Sequence, residues 1–126
     1  EAGAELILVP SVTETLHGYW RVRTGAQARA LENQWHVVHA PVVGEAPWSP
    51  AVDVNRGAAA VYGPPDRGFP PDGVVAIGEL DRPGWIHAEL DLDLAAAVRA
   101  DGMVLNHRHW PEQANVTIAP VELASV

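Results

Sequence analysis

The chemistry open to this chain is bounded first by two residue types it lacks: there is no Cys among its 126 residues, and all eight of its basic residues are Arg, so there is no Lys. A thiolate nucleophile and a side-chain amine are thereby excluded. What remains is six His, sixteen acids and a few hydroxyls. His107 and His109, two apart, would share a face of an extended segment, whereas His36 and His39, three apart on a strand, would not. A structural or catalytic metal needs three or four ligands with outer-shell support, and spacing assigns no such set. No metal site is expected, and these histidines read as structural hydrogen-bonding groups. A Ser-His-acid combination built on Ser11 or Ser49 can be composed in too many ways to favour any one, and no nucleophile-elbow motif is present.

The net charge of -8, with no basic run to offset it, would repel a phosphate backbone, so no nucleic acid partner is expected. The longest apolar runs, Leu6 to Pro10 and Gly73 to Ile77, fall far short of a bilayer span, and the acidic N-terminus has no signal-peptide character. No membrane association is expected, and a cytoplasmic location is the simplest assignment. Eleven Gly and eleven Pro are too many for a helical bundle and too scattered for a low-complexity tract. The fold class is therefore α/β (α+β).

The elements that must position any site begin with Leu6-Ile7-Leu8-Val9, apolar without alternation, as expected of a central strand covered on both faces. Glu1 to Glu5, just before it, looks like a helix end with its glycine stop. From about Tyr19 to Asn33, apolar residues at helical spacing alternate with Arg21, Arg23 and Arg29 and predict a helix. A second strand follows from Trp35 to Val43, which makes a βαβ-like unit. Gly44 to Arg56, with Trp48 at its centre, reads as a long ordered loop. Three further strands are expected at Gly57 to Tyr62, Gly73 to Leu80 and Trp85 to Leu92, the last two joined by the turn signal Asp81-Arg82-Pro83-Gly84. Asp91 or Asp93 could cap a short helix that stops near Gly102.

Several of these segments carry specific motifs: Glu1 through Ser11, then Trp20-Arg21 and Ala28-Arg29-Ala30-Leu31-Glu32-Asn33-Gln34, and further on Asn55-Arg56-Gly57, Ala88-Glu89-Leu90-Asp91, Val98 to Gly102 and Asn106 to Trp110. In this order they resemble the nitrilase superfamily of carbon-nitrogen hydrolases downstream of its nucleophile. The resemblance covers about residues 1 to 113 and leaves 114 to 126 as a C-terminal tail. It implies half of a four-layer α-β-β-α sandwich and, in the intact enzyme, hydrolysis of small nitriles or amides. There a Cys thiolate attacks the substrate carbon, a Glu acts as base and a Lys stabilises the tetrahedral intermediate. No cofactor is implied.

By the family pattern all three of those residues lie upstream of this chain, which alone should be inactive and should need a complementary N-terminal half. Two of the three are also excluded by composition, since Cys and Lys are absent. The resemblance leaves this half a pocket wall, with Ser11, Val12, Thr13, Tyr19 and Trp20 beside the missing Cys and Trp48 as a further pocket residue. It also leaves a homo-oligomer interface on the helix, with Arg29, Glu32 and Asn33 at its end. The alternative is a non-catalytic scaffold or oligomerisation module that keeps the same core.

Overall fold

The computed structural model describes residues 3–112. Thr15 starts the first helix: its hydroxyl accepts from the Gly18 amide at 3.1 Å, which satisfies one of the donors a helix leaves free in its first turn. Helix α1 therefore runs Leu16–Asn33 and begins three residues before the position expected from its apolar spacing. Gly18 allows this early start, because a Cβ there would sit 3.0 Å from the Thr13 Cβ. Gln34 ends the helix in the left-handed conformation, φ 53°, and turns the chain directly into the next strand.

Strands β1, Leu6–Ser11, and β2, His36–Pro41, flank α1 and pair in parallel, with Leu6 opposite His36 and Ser11 opposite Pro41. The expected βαβ unit is present. Antiparallel β5, Ala60–Tyr62, and β6, Val74–Ile77, complete a four-stranded sheet in the order β1-β2-β5-β6. Between β2 and β5 the segment Gly44 to Arg56 is closed at its base by a small antiparallel ribbon, β3, Gly44–Glu45, and β4, Val54–Asn55. Asn55 is buried and donates to the carbonyls of Gly44 and Val52, so the loop is ordered as expected.

The core lies on one face of the sheet, where Ala26 and Ala30 of α1 pack on Val37, Ala60 and Tyr62, flanked by Ile7, Val9, Trp35 and Val74. The small alanines bring the helix close to the strands. The other face is covered in part. Strand β1 is an edge in the described sheet and not a central strand: Ile7 and Val9 reach the core, but Leu6 and Leu8 on the opposite face are 39% and 68% exposed. A run without alternation thus has one of its two faces uncovered.

Two further expectations change. Trp85 to Leu92 is not a strand, and the expected hairpin does not form. The Asp81 amide still bonds the Gly57 carbonyl, continuing the β5/β6 ladder, but Asp81 itself takes φ 60° and the chain then leaves the sheet. Helix α2, Leu92–Asp101, is capped by Asp91, whose side chain accepts from the Leu94 amide. Asn106–His109 forms a short helix, α3, followed by a 3-10 turn at Trp110–Glu112. His107 and His109 therefore sit on a helical turn and do not share the single face an extended segment would give them. The tail expected from 114 to 126 lies outside the described residues. The class is mixed α and β, as expected.

Candidate functional site

The C-terminal ends of β1 and β2 bring together the polar side chains that could do work. Ser11 closes β1, and its Oγ lies 3.0 Å from Nε2 of His39 on β2. In the parallel register His39 faces Val9, two residues before Ser11, so both side chains project to the helix-covered side of the sheet. His39 is fully buried, and Tyr19 from the first turns of α1 stacks on it with ring centroids 5.9 Å apart and planes within 12°. Tyr62 of β5 is also adjacent, with ring centroids 6.5 Å apart. Arg23, one turn after Tyr19, donates to the Tyr19 hydroxyl and stacks over Trp20 at 4.8 Å.

Electrostatics follow from this packing. Burial, and then the neighbouring Arg23 guanidinium, push the His39 pKa below the usual imidazole value, so the ring is neutral near pH 7. Burial pushes the Tyr62 hydroxyl up to about 12, with Arg23 working against it. Three polar atoms of the cluster are buried without a partner among the described residues: Nδ1 of His39, the hydroxyl of Tyr62 and Nε of Arg23. Among the described residues no carboxylate pairs with Arg23.

Thr13 ties the site to the loop beyond β4: its hydroxyl donates to the Arg56 carbonyl and its own carbonyl accepts from the Arg56 amide. Arg56 in turn donates from Nε and a terminal nitrogen to Asp81, whose other oxygen accepts from the Gly57 amide. The Arg56 hydrogen bond is the chief reason the Asp81 carboxyl is held below the usual carboxylate range. Gly57 is required at this crossing, since a Cβ would come within 2.6 Å of the Pro41 ring.

Of the pocket residues expected from sequence, Ser11 and Tyr19 meet through His39, and Thr13 lies beside them against Gly18. Val12 and Trp20 are half exposed, with Trp20 on the outer side of the helix. Trp48 is 80% exposed at the tip of its loop and is not gathered into the cluster. The three residues expected at an interface are neighbours at the end of α1. Arg29 pairs with Glu32, the Asn33 side chain donates to the Arg29 carbonyl, and all three border a shallow depression with Asn106, His109 and Trp110. Among the described residues no group of three or more potential metal ligands converges.

Sequence reasoning did not single out His39, Tyr62 and Arg23 as one cluster. His39 carried a signal as one of several possible partners for Ser11, but 28 residues separate the two and strand register alone brings them together. Of the many Ser-His pairs the sequence allows, this is the one with hydrogen-bond geometry among the described residues.

The fold and site thus describe a mixed α and β unit whose polar cluster lies at the C-terminal ends of parallel strands, a common location for sites in layered α/β folds. No family model matches the chain, and no solved structure matches it. Over 104 residues, 82% of its length, the chain is 33% identical to a protein of Bacillus subtilis (strain 168) named Probable hydrolase YhcX. The match covers 20% of that protein, so the chain spans about a fifth of the curated relative it matches.

Proposed function

We infer that this chain is the C-terminal portion of a carbon-nitrogen hydrolase that acts on small nitriles or amides, with the thiol, the base and the amine supplied by a complementary N-terminal half. The observation that carries this reading is the unfinished sheet. Leu6 and Leu8 leave an apolar strip exposed on β1, and β1 offers an unpaired edge among the described residues. An exposed apolar edge of this kind calls for another layer of protein. A second sheet packed on that face would give the four-layer α-β-β-α arrangement, and a strand added at the open edge of β1 would end beside Ser11 and Thr13. The similarity to a probable hydrolase agrees with this assignment, and so does a composition that supplies neither Cys nor Lys.

In this reading Ser11, Val12, Thr13 and Tyr19 form the pocket wall, while Trp20 and Trp48, which this chain leaves exposed, become pocket residues only where elements of the other half cover them. The exposed end of α1, with Arg29, Glu32 and Asn33, is the contact between two copies. The decisive experiment combines the chain with the N-terminal half of a carbon-nitrogen hydrolase and assays nitrile and amide hydrolysis before and after alkylation of the thiol. Hydrolysis that needs both halves and is lost on alkylation is the expected result. A stable complex without hydrolysis of any nitrile or amide would instead leave a non-catalytic assembly module.

A further inference from the structure

The Ser11/His39 pair admits two chemically opposite roles, and its surroundings choose between them. If the His39 proton sits on Nδ1, the Nε2 lone pair accepts from the Ser11 hydroxyl, which is the arrangement of a base-activated nucleophile. If the proton sits on Nε2, His39 donates to Ser11 Oγ, and the serine's own proton is left to bind something else.

The deciding groups are the unpartnered polar atoms of the same cluster. The hydroxyl of Tyr62 and Nε of Arg23 are both buried without a protein acceptor, and Nδ1 of His39 is buried without a partner of its own. The rings of Tyr62 and His39 are adjacent, and Arg23 is close enough to both to perturb them electrostatically. A guanidinium can only donate, and a phenol that keeps its proton also has one to give. A proton on Nδ1 would add a third donor to this cluster. A lone pair on Nδ1 adds a second acceptor beside the Tyr62 oxygen and matches the two remaining donors, across a bound water since no direct bond forms among the described residues.

We propose that His39 is held as the Nε2–H tautomer and donates to Ser11 Oγ, leaving the Ser11 hydroxyl free to donate to the carbonyl oxygen or nitrile nitrogen of a small substrate at the end of β1. Ser11 is then a substrate-orienting donor and not a nucleophile, and His39 is a positioning residue acting through it. The substrate class rests on the carbon-nitrogen hydrolase reading, whereas the tautomer rests on this chain's own geometry. The inference also makes Arg23 and Tyr62 part of the site, although neither reaches the substrate.

The test is nitrogen-15 imidazole NMR on the full chain at pH 7, followed by titration with acetamide as the simplest amide. The His39 ring is expected to show a protonated Nε2 and an unprotonated Nδ1, and Arg23→Met is expected to move it towards a mixture of tautomers. Acetamide is expected to shift the Ser11 and Thr13 signals saturably in the wild type and in Ser11→Thr, and to bind about tenfold more weakly in Ser11→Ala, as loss of one hydrogen bond implies. An Nδ1–H tautomer, or covalent labelling of Ser11 by a fluorophosphonate, would overturn the proposal. An Nε2–H ring with no acetamide effect at Ser11 overturns the donor role while leaving the hydrolase reading to its own complementation assay.

Discussion

Two buried polar side chains at opposite ends of β2, Gln34 and His39, are finished in different ways. At the start of the strand, Gln34 is fully buried and uses every polar atom of its side chain: Nε2 donates to the carbonyls of Val98 and Val104, and Oε1 accepts from the His107 amide. Asp66 does the same work nearby, taking the amides of Arg67 and Met103. Towards its other end, His39 is equally buried, yet its Nδ1 and the neighbouring Tyr62 hydroxyl and Arg23 Nε have no protein partner. Unpartnered atoms also occur at the start of β2, where Trp35 Nε1 and His36 Nδ1 are buried without a partner among the described residues, so the contrast lies between the Gln34 side chain and the His39 cluster and not between whole strand ends.

The comparison is broken most severely at Gln34. Gln34→Ala leaves two carbonyls and one amide without partners and is expected to cost roughly 3 kcal/mol, read as a lower urea midpoint. Because the same residue fastens the segment after α2 to the end of α1, hydrogen exchange should accelerate first across residues 102 to 109. Asp66→Ala should act on the same segment with a smaller effect, about 2 kcal/mol, since water can replace part of what the carboxylate accepts.

Acid should weaken both ends with the same sign. The folded-state pKa values of His39 and His107 are lowered, chiefly by burial, so the unfolded chain binds more protons as pH falls through about 6.5. Stability is therefore expected to decline from there downwards. For Asp66, burial opposes ionisation, but backbone hydrogen bonds from Met103, Arg67 and Val104 outweigh it and lower the pKa. For Asp81 the Arg56 hydrogen bond leads in the same direction. These two carboxylates contribute stability above about pH 4 that is lost as pH falls further. Thermal melts of the wild type, His39→Gln and Asp66→Asn from pH 8 to 3 should separate the two phases, the first flattened in His39→Gln and the second in Asp66→Asn.

At the site end the effect of truncation should be much smaller. Tyr62→Phe deletes a hydroxyl that bonds no protein group and is expected to change stability by less than about 1 kcal/mol, in contrast to Gln34→Ala. A loss as large as that of Gln34→Ala would mean that the Tyr62 hydroxyl is bonded within the fold as Gln34 is and would erase the distinction between the Gln34 side chain and the His39 cluster.

How far the sequence anticipated these regions depends on the distance over which each is determined. The β1, α1, β2 unit is legible because an apolar run, a helical period and a second apolar run are local signals, and the cap of α2 at Asp91 is equally local. The start of α1 was placed late because its signal is a threonine cap and a close glycine, not an apolar residue. Trp85 to Leu92 has strand composition but pairs with no strand among the described residues, and Trp85 is 92% exposed. The roles of Gln34 and His39 depend on partners up to 73 residues away and become visible once the chain is folded.

The smallest expected effect on the isolated chain tests the largest part of the functional reading. Leu8 lies on the uncovered face of edge strand β1 and is 68% exposed, so Leu8→Glu should change the stability of the chain by no more than about 0.5 kcal/mol. If a second sheet packs on that face in the working enzyme, the same substitution places a charge in an apolar interface, where burial is strongly unfavourable. Mixing with the N-terminal half should then fail to yield a complex in sedimentation or to recover hydrolysis, although the variant itself melts like the wild type. Ile7, one residue earlier and packed on the helix side, gives the reciprocal case: Ile7→Glu should unfold the chain before any partner is added. Equal behaviour of the two variants, both harmless or both unfolding, would show that the outer face of β1 is not where another layer attaches.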